Sequence, residues 1–278
     1  MRLRRRKALA DFTYLVTKDV TEALERKFGY ALAEDAKERI NFIEDRFLRE
    51  FWAYIPGSAS PAEIDAACLS RDIELEAGRS KYPVVSLDRI YMPNADRYLE
   101  VTRITNPKTG KVTIGPRPGS IALKEQVSGI RALGKISLAD VGMFDGNTLL
   151  EICSLLEGCG IEIGEIYLGI SGNEAYRRIS GSRRVNALNL FDLYEWVELR
   201  DFFGIDGRNV GASNGKRRFM PYWENLSGWA SISSPNERCV ERMCKRYNKM
   251  LLEVLEEGGF DMERIGDIEE YEAGKLIA

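Results

Sequence analysis

The stretch that decides the fold is Ile136-Ser-Leu-Ala-Asp-Val-Gly-Met-Phe-Asp-Gly-Asn-Thr-Leu-Leu150. The apolar run 136–139 predicts a buried strand, and a helical pattern begins where the following loop, 140–148, ends. This loop is rich in small and acidic residues. A loop between a buried strand and a helix N-terminus presents backbone N–H groups and the positive end of the helix dipole to a phosphate. Asp140 and Asp145 are available to accept hydrogen bonds from sugar hydroxyls.

The residues around this stretch predict a βαβ unit. The helix runs from Thr148 to about residue 157, ends at Gly158, and is followed by a strand over 163–170. Strand, helix and strand in this order form parallel neighbours in one sheet. Ligands bind beyond the carboxyl ends of such strands, so the loop occupies the expected place for a site. Upstream the pattern predicts a strand over 83–87, a hairpin of 98–104 with 111–114, and a helix over 121–133.

The two ends of the chain read as helical. Residues 1–57 include an amphipathic helix over 31–52, with apolar residues at three- and four-residue spacing. The sequence Ser60-Pro-Ala-Glu63 has the form of a capping box that opens a helix through Ser70. A second capping box, Ser234-Pro-Asn-Glu237, opens a long helix that ends at Gly258. We therefore predict a helical region over 1–79, an α/β core over 80–210, and a loop and helical region over 211–278.

Composition excludes several kinds of chemistry. The chain has 278 residues, with 40 Lys and Arg against 43 Asp and Glu, so no overall charge favours nucleic acid or a membrane as partner. It contains no histidine, which removes Ser-His-Asp and Cys-His catalysis and histidine-ligated metal sites. An enzyme here would use carboxylates, Lys, Arg, Tyr, backbone amides or a hard cation.

The compartment expected from the sequence is the cytoplasm. No apolar run approaches the roughly 18 residues of a membrane span, and the basic start is not followed by a secretory apolar core. The five cysteines show no C-x-x-C pair, which predicts reduced, buried thiols. The basic arm 2–7 reads either as a solvated tail or as a contact for nucleic acid or another acidic partner.

The segment Asp140-Val-Gly-Met-Phe-Asp-Gly-Asn-Thr148 resembles the ribose-phosphate-binding motif of the type I phosphoribosyltransferase family. The resemblance implies a phosphoribosyltransferase-like parallel sheet core with helical N- and C-terminal additions. It implies that Asp140 binds the ribose hydroxyls and that Gly146, Asn147 and Thr148 hold the 5-phosphate. Two positions depart from the family pattern, since Val141 replaces its second acid and Asp145 stands where a Thr is common. Asp145 adds a negative charge to the phosphate/ribose site.

The same resemblance implies an activity. The expected ligand is a small phosphoribosyl compound, either phosphoribosyl pyrophosphate or a nucleoside monophosphate, and the expected reaction transfers ribosyl phosphate to a base. Pyrophosphate would leave, held by Mg²⁺, and catalysis would consist of positioning and charge stabilisation. We also expect a homo-oligomer. Arg89, in the segment 86–89, is the candidate residue for binding the pyrophosphate. The alternative is that Arg89 forms a structural salt bridge.

The aromatic residues after the core have two interpretations. Tyr222 or Trp223 would stack on a nucleobase, with Glu198, Asp201 or Glu224 accepting hydrogen bonds, or these residues pack in the core. The loop 211–216 has a composition close to a P-loop, but it is one residue short and lacks the Ser or Thr after Lys216. Its basic end, 216–218, reads as a solvated cluster or a phosphate contact.

Three alternatives to a transferase remain open from the sequence. In the first, Asp145 and Gly146 form an ordinary turn and Thr148 caps a helix. In the second, the protein keeps the pocket but acts as a ligand sensor or a protein-interaction module. In the third, it is a nucleic-acid-associated factor that uses the basic arm. The loop also has a superficial similarity to the haloacid dehalogenase-like phosphatase signature, but Met143 stands where that family needs its nucleophilic Asp, which disfavours covalent phosphoryl transfer at this loop.

Overall fold

A computed structural model describes residues 12–106, 109, 111–117, 120–211 and 217–260. The strands are, in chain order, β1 (Phe12–Lys18), β2 (Ala59–Asp65), β3 (Val84–Ser86), β4 (Arg97–Tyr98), β5 (Val101–Thr105), β6 (Val112–Pro116), β7 (Lys135–Met143), β8 (Glu162–Gly172), β9 (Val185–Phe191), β10 (Leu193–Glu198), β11 (Arg208–Gly211) and β12 (Arg217–Met220). The α-helices are α1 (Val20–Phe28), α2 (Glu34–Phe51), α3 (Ala66–Ala77), α4 (Leu123–Arg131), α5 (Asn147–Gly158), α6 (Asn173–Ser180), α7 (Leu199–Phe202), α8 (Leu226–Trp229) and α9 (Ser234–Glu257).

A five-stranded parallel sheet, in the order β4-β3-β7-β8-β9, forms the centre of the molecule. It confirms the predicted α/β class, and β7–α5–β8 is the predicted βαβ unit. The predicted strand at 83–87, the hairpin and the helix at 121–133 are also confirmed, as β3, β5–β6 and α4. The apolar side chains of β7, β8, α4, α5 and α6 form one core. Residues on the opposite face of β7, among them Val141, belong to a second core. Burial on both faces is typical of parallel sheets.

Strand β7 is longer than predicted, because it continues past Ala139 to Met143. Asp140 and Gly142 had the appearance of loop residues, yet both pair with β8. A Cβ at Gly142 would lie 2.3 Å from the carbonyl oxygen of Ile170, so only glycine permits this close pairing. The true loop is therefore short, residues 144–146, and Asp140 is held on a rigid strand.

The N-terminal region is not all helical, which corrects the prediction for 1–79. Strand β1 lies between β10 and β2 in a three-stranded parallel sheet. The capping box at 60–63 does not form, because these residues belong to β2 and α3 begins only at Ala66, where Asp65 accepts a hydrogen bond from Cys68 N at 2.7 Å. Since β2 is an edge strand, Pro61 costs it no ladder hydrogen bond. The pairing partner β10 lies about 180 residues away in sequence, beyond the reach of local patterns.

Helices α2 and α9 are confirmed as amphipathic helices, and they cover the three-stranded sheet. Their apolar faces meet aromatic residues of β1 and α7 in this second core. The predicted capping box at the start of α9 does not form, since the Glu237 carboxylate instead accepts a hydrogen bond from Ser227 N at 3.0 Å. The five cysteines are free, but only Cys153 and Cys244 are buried, and Cys68 is exposed.

A third, mixed sheet in the order β12-β11-β5-β6 lies at one side of the central cavity. Strands β5 and β11 are parallel neighbours within it. Several predictions fall outside the described residues, namely those on the arm 2–7, on part of the hairpin turn and on the loop 212–216. Within the described segments, no helix is long and apolar enough to span a membrane.

Candidate functional site

A cavity of about 510 Å³ lies at the carboxyl ends of β3 and β7. The first turn of α5 closes one side, and β10, α7 and β11 close the other. Seven of the residues predicted from the sequence line it together, which are Asp140, Asp145, Gly146, Thr148, Glu198, Asp201 and Tyr222. The volume falls within the range of small-molecule sites in proteins.

Asp140 is partly buried on β7 and lines this cavity. One of its carboxylate oxygens accepts a hydrogen bond from Val141 N at 2.9 Å. Burial, reinforced by the negative charges of Asp88 and Glu198, raises the pKa of Asp140 to about 7. The positive charge of Arg117 acts in the opposite direction but does not cancel this effect. A hydroxyl or cation that approached this carboxylate would favour its charged form.

Asp145 forms the local turn that the simplest interpretation of the loop predicted. Its carboxylate accepts hydrogen bonds from the backbone N–H of Asn147 at 3.0 Å and from the side-chain amide at 2.8 Å. Arg178 donates to the Asp145 carbonyl oxygen and to Asn147 Oδ1. Gly146 adopts φ 76°, a left-handed conformation that glycine tolerates. The Asp145 carboxylate therefore already accepts the hydrogen bond of one backbone N–H at the start of α5, that of Asn147. Thr148 still lines the cavity.

A buried network of charges forms the floor of the cavity. Asp88 accepts hydrogen bonds from Arg117 Nη2 at 3.0 Å and from Arg200 Nη2 at 3.5 Å. Arg200 also pairs with Glu198 at 2.8 Å and with Asp19 at 3.3 Å. Burial alone would raise the pKa of Asp88, but the charges of Arg117, Arg200 and Arg26 hold it at about 2. This network fixes two arginines at the cavity and keeps Asp88 ionised.

Several buried polar atoms at the cavity have no hydrogen-bond partner among the described residues. They are Nη1 of Arg200, Nε of Arg208 and both side-chain amide atoms of Asn209. Arg200 is 5% exposed and Asn209 is 1% exposed, so bulk water does not replace the missing partners. An unsatisfied buried polar group costs about 1–3 kcal/mol. All three residues line the cavity, where a bound ligand would supply partners.

Four predicted residues, Arg89, Asn147, Trp223 and Glu224, are not among those that line the cavity. Arg89 forms a salt bridge with Glu100 at 2.9 Å and lies over the ring of Tyr98, so the salt-bridge alternative describes it. Trp223 is buried against Gly204 and follows the core-packing alternative. Tyr222 does line the cavity, but its ring is itself buried and packs against Phe202, so core packing is its main role in the described structure. Asn147 contributes to the turn and is not among the lining residues.

Sequence reasoning missed the residues that give the cavity most of its charge. Asp88 is adjacent to the chosen Arg89, and its position directly after a buried strand was the available signal. Arg117 follows β6 and reaches Asp88 from the other side of a hairpin. Arg200, Arg208 and Asn209 belong to no motif, so no local signal pointed to them. Among the described residues, no group of three or more His, Cys, Asp or Glu side chains is arranged to hold a metal ion.

The comparisons with known proteins concern the fold alone. No family model matches the chain, and no curated protein is significantly similar to it. The chain is similar to TT1426 from Thermus thermophilus, with 12% identity and a TM-score of 0.29 over 46% of this chain and 82% of that one. It is similar to UMP synthase from Leishmania donovani, with 11% identity and a TM-score of 0.30 over 65% and 33% of the two chains.

A third similar structure is the orotate phosphoribosyltransferase of Mycobacterium tuberculosis, in complex with inorganic phosphate. Its identity is 12% and its TM-score 0.28, over 45% of this chain and 69% of that one. Because the three TM-scores lie below 0.5, they carry no argument about a ligand. The function proposed for this chain therefore rests on the cavity.

Proposed function

We propose that the cavity binds a phosphoribosyl compound. The observation that carries the proposal is the meeting of Asp140, Gly146 and Thr148 in one cavity with unpartnered donors of buried arginines. A carboxylate beside a helix N-terminus suits a ligand that has both hydroxyl groups and a phosphate. The arginine donors add the positive charge that such a ligand requires.

Each part of the ligand has a partner in this arrangement. The Asp140 carboxylate would accept hydrogen bonds from the ribose hydroxyls, which favour its charged form. The Thr148 hydroxyl and the positive end of α5 would hold the 5-phosphate. The Asp145 carboxylate already occupies Asn147 N, so the phosphate would lie on the Thr148 side of the turn.

We extend the proposal to transfer of the ribosyl phosphate to a base with release of pyrophosphate. The reaction needs no protein nucleophile, which agrees with a chain that lacks histidine. A Mg²⁺ ion carried by the pyrophosphate would neutralise charge on the leaving group. Asp140 fits such an ion, since its carboxylate accepts a single hydrogen bond from the described residues. Arg200 would add a fixed positive charge on the opposite side of the ligand.

One observation favours a second candidate, a ligand sensor without transferase activity. Val141, at the position of the family's second acid, is 8% exposed and packs in the apolar core, so a single carboxylate of the motif faces the ligand. The negative charge of Asp145 at the start of α5 also weakens a phosphate contact there. Binding would then persist while transfer is lost.

Thermal unfolding with and without ligand tests the proposal. Phosphoribosyl pyrophosphate with Mg²⁺, or a nucleoside monophosphate, at about 100 times its dissociation constant should stabilise the protein by about 2.7 kcal/mol. Asp140→Asn and Thr148→Val should abolish this shift, because the first replaces a charged carboxylate with a neutral amide that has one acceptor oxygen, and the second removes the hydroxyl that donates to the phosphate. Asp72→Asn, at an exposed position of α3, is the matched control and should keep the shift.

The outcomes separate the candidates. Absence of a shift at millimolar ligand would overturn both the transferase and the sensor. A shift without pyrophosphate release in the presence of mixed nucleobases selects the sensor. A shift that survives in both cavity variants would mean that the ligand binds elsewhere.

A further inference from the structure

Two arginines lie side by side on the wall of the cavity formed by β5 and β11. The parallel register pairs Asn209 with Ile104, and one residue earlier it sets Arg208 beside Arg103. Both arginines line the cavity. Arg103 is exposed to solvent at this wall, and partial desolvation together with the adjacent charge of Arg208 lowers the pKa of its guanidinium. Like charges directly opposite each other on neighbouring strands destabilise a sheet.

No carboxylate compensates this pair within salt-bridge distance in the described part of the chain. Glu195 lines the same cavity, but its carboxylate accepts hydrogen bonds from Ser231 Oγ at 2.6 Å and from Trp196 N at 3.2 Å. The ion pairs of the neighbouring network involve Arg117 and Arg200 instead. Glu195 and Asp201 offset the charge of the pair on β5 and β11 only from a distance, because neither forms a salt bridge with it in the described part of the chain.

Polar atoms at and beside the pair are buried without hydrogen-bond partners among the described residues. Nε of Arg208 is one of them, and both amide atoms of the adjacent Asn209, which is 1% exposed, are the others. The Arg208 guanidinium lies 5.3 Å from the ring centroid of Tyr222, which restricts its orientation. These are the features of a site prepared for an anion with several oxygen atoms.

We propose that Arg103 and Arg208 form an oxyanion subsite on the side of the cavity formed by β5 and β11. The two guanidinium groups would surround a phosphoryl or carboxylate group, and the unpartnered Nε of Arg208 would donate to one of its oxygens. The subsite deepens the proposed function and rests on it, because it would hold a second anionic group of the ligand whose ribose meets Asp140. The ligand class is then a phosphoribosyl compound, or its reaction partner, with an oxyanion separate from the 5-phosphate.

Titration calorimetry at fixed ionic strength tests the subsite with two simple probes, inorganic phosphate and benzoate. The proteins are the wild type, Arg103→Gln, Arg208→Gln and the control Arg131→Gln, which removes an exposed charge at the end of α4. Loss of one charge-assisted contact should lower the affinity for the probe by roughly tenfold or more in both cavity variants. The affinity of the control variant should equal that of the wild type. Asp140→Asn should keep the affinity for the probe, which separates this subsite from the proposed ribose contact.

The probe that responds identifies the source of the oxyanion. If both variants lower the affinity for inorganic phosphate, the subsite binds a phosphoryl group. If both lower the affinity for benzoate, it binds a carboxylate. If each probe binds the wild type and the two cavity variants with the same affinity, the subsite is overturned, whatever the result with phosphoribosyl pyrophosphate. Thermal unfolding without ligand supplies a further measurement, because each cavity variant relieves repulsion and should not lower the melting temperature.

Discussion

The two sides of the cavity differ in how their polar groups are satisfied. On one side, the β7–α5 wall (Asp140, Asp145, Gly146 and Thr148), the charged side chains accept hydrogen bonds from residues one or two positions away. On the other, the arginine wall (Arg103, Arg200, Arg208 and Asn209), buried donors of Arg200, Arg208 and Asn209 lack partners among the described residues, while Arg103 is exposed. On the first wall, the Asp145 carboxylate is satisfied by its own turn, whereas the Asp140 carboxylate, with one hydrogen bond, and the donors of the second wall are open to a ligand. We infer that the β7–α5 wall supplies a fixed frame and that the arginine wall supplies most of the attraction for an anion.

The largest expected effect tests the network that joins the two walls. Asp88→Asn removes the carboxylate that holds Arg117 and Arg200, and it leaves the buried Arg200 and the half-buried Arg117 with less compensation. Breaking a buried ion pair from one side costs about 3–5 kcal/mol. Urea denaturation at pH 7 measures this loss, and Asp72→Asn should stay within about 0.5 kcal/mol of the wild type.

The same substitution predicts a change in pH dependence. The pKa of Asp88 is about 2 when folded, below the usual value of about 3.9 for an unfolded chain. Its contribution is therefore present above about pH 4 and is lost as the pH falls from about 4 to 2, and it amounts to about 2–3 kcal/mol. In the Asp88→Asn variant, the free energy of unfolding should therefore fall less between about pH 4 and pH 2 than it does in the wild type. A variant as stable as the wild type at pH 7 would contradict the role assigned to the network.

The next effect concerns the frame of the β7–α5 wall. Gly146→Ala should lower the free energy of unfolding by about 2 kcal/mol, since φ is 76° and the new Cβ would lie 2.8 Å from Ile179 Cδ1. Gly129→Ala is the matched control, because a Cβ there meets nothing within 4 Å in the middle of α4. The control should gain about 0.5–1 kcal/mol from helix propensity. Equal effects in denaturant titrations would show that the turn at Gly146 is not constrained.

The smallest expected effect tests whether Asp140 serves ligand binding or the stability of the fold. The pKa of Asp140 is raised to about 7, so its charged form destabilises the folded protein increasingly as the pH rises from about 4 to 7. Asp140→Asn should therefore stabilise the ligand-free protein by roughly 1–2 kcal/mol at about pH 8, with partial exposure taken into account, and by little at about pH 4. Thermal unfolding at both pH values measures the difference. A loss of stability at the higher pH would mean that Asp140 serves the fold instead of a ligand.

Sequence patterns predicted the central part of the fold because its signals are local. The run from Ile136 to the start of α5 carries apolar residues, a glycine turn and a helix in direct succession, and β8 follows at once. The N-terminal sheet was missed because β1 pairs with β10, which is far away in the chain, and a strand of this length also satisfies a helical pattern. The extension of β7 was missed since its cause is the close approach of Ile170 to Gly142.

The candidate site divides in the same way. The sequence by itself determined the β7–α5 wall, because Asp140, the Asp145 turn and Thr148 lie within nine residues and act through neighbouring backbone groups. It also excluded histidine chemistry, which follows from composition alone. Only the tertiary structure decided the arginine wall and the role of Asp88. Their charges come from segments far apart in the chain, such as Asp88 and Arg200, which are 112 residues apart, and packing of separate sheets brings them into one cavity.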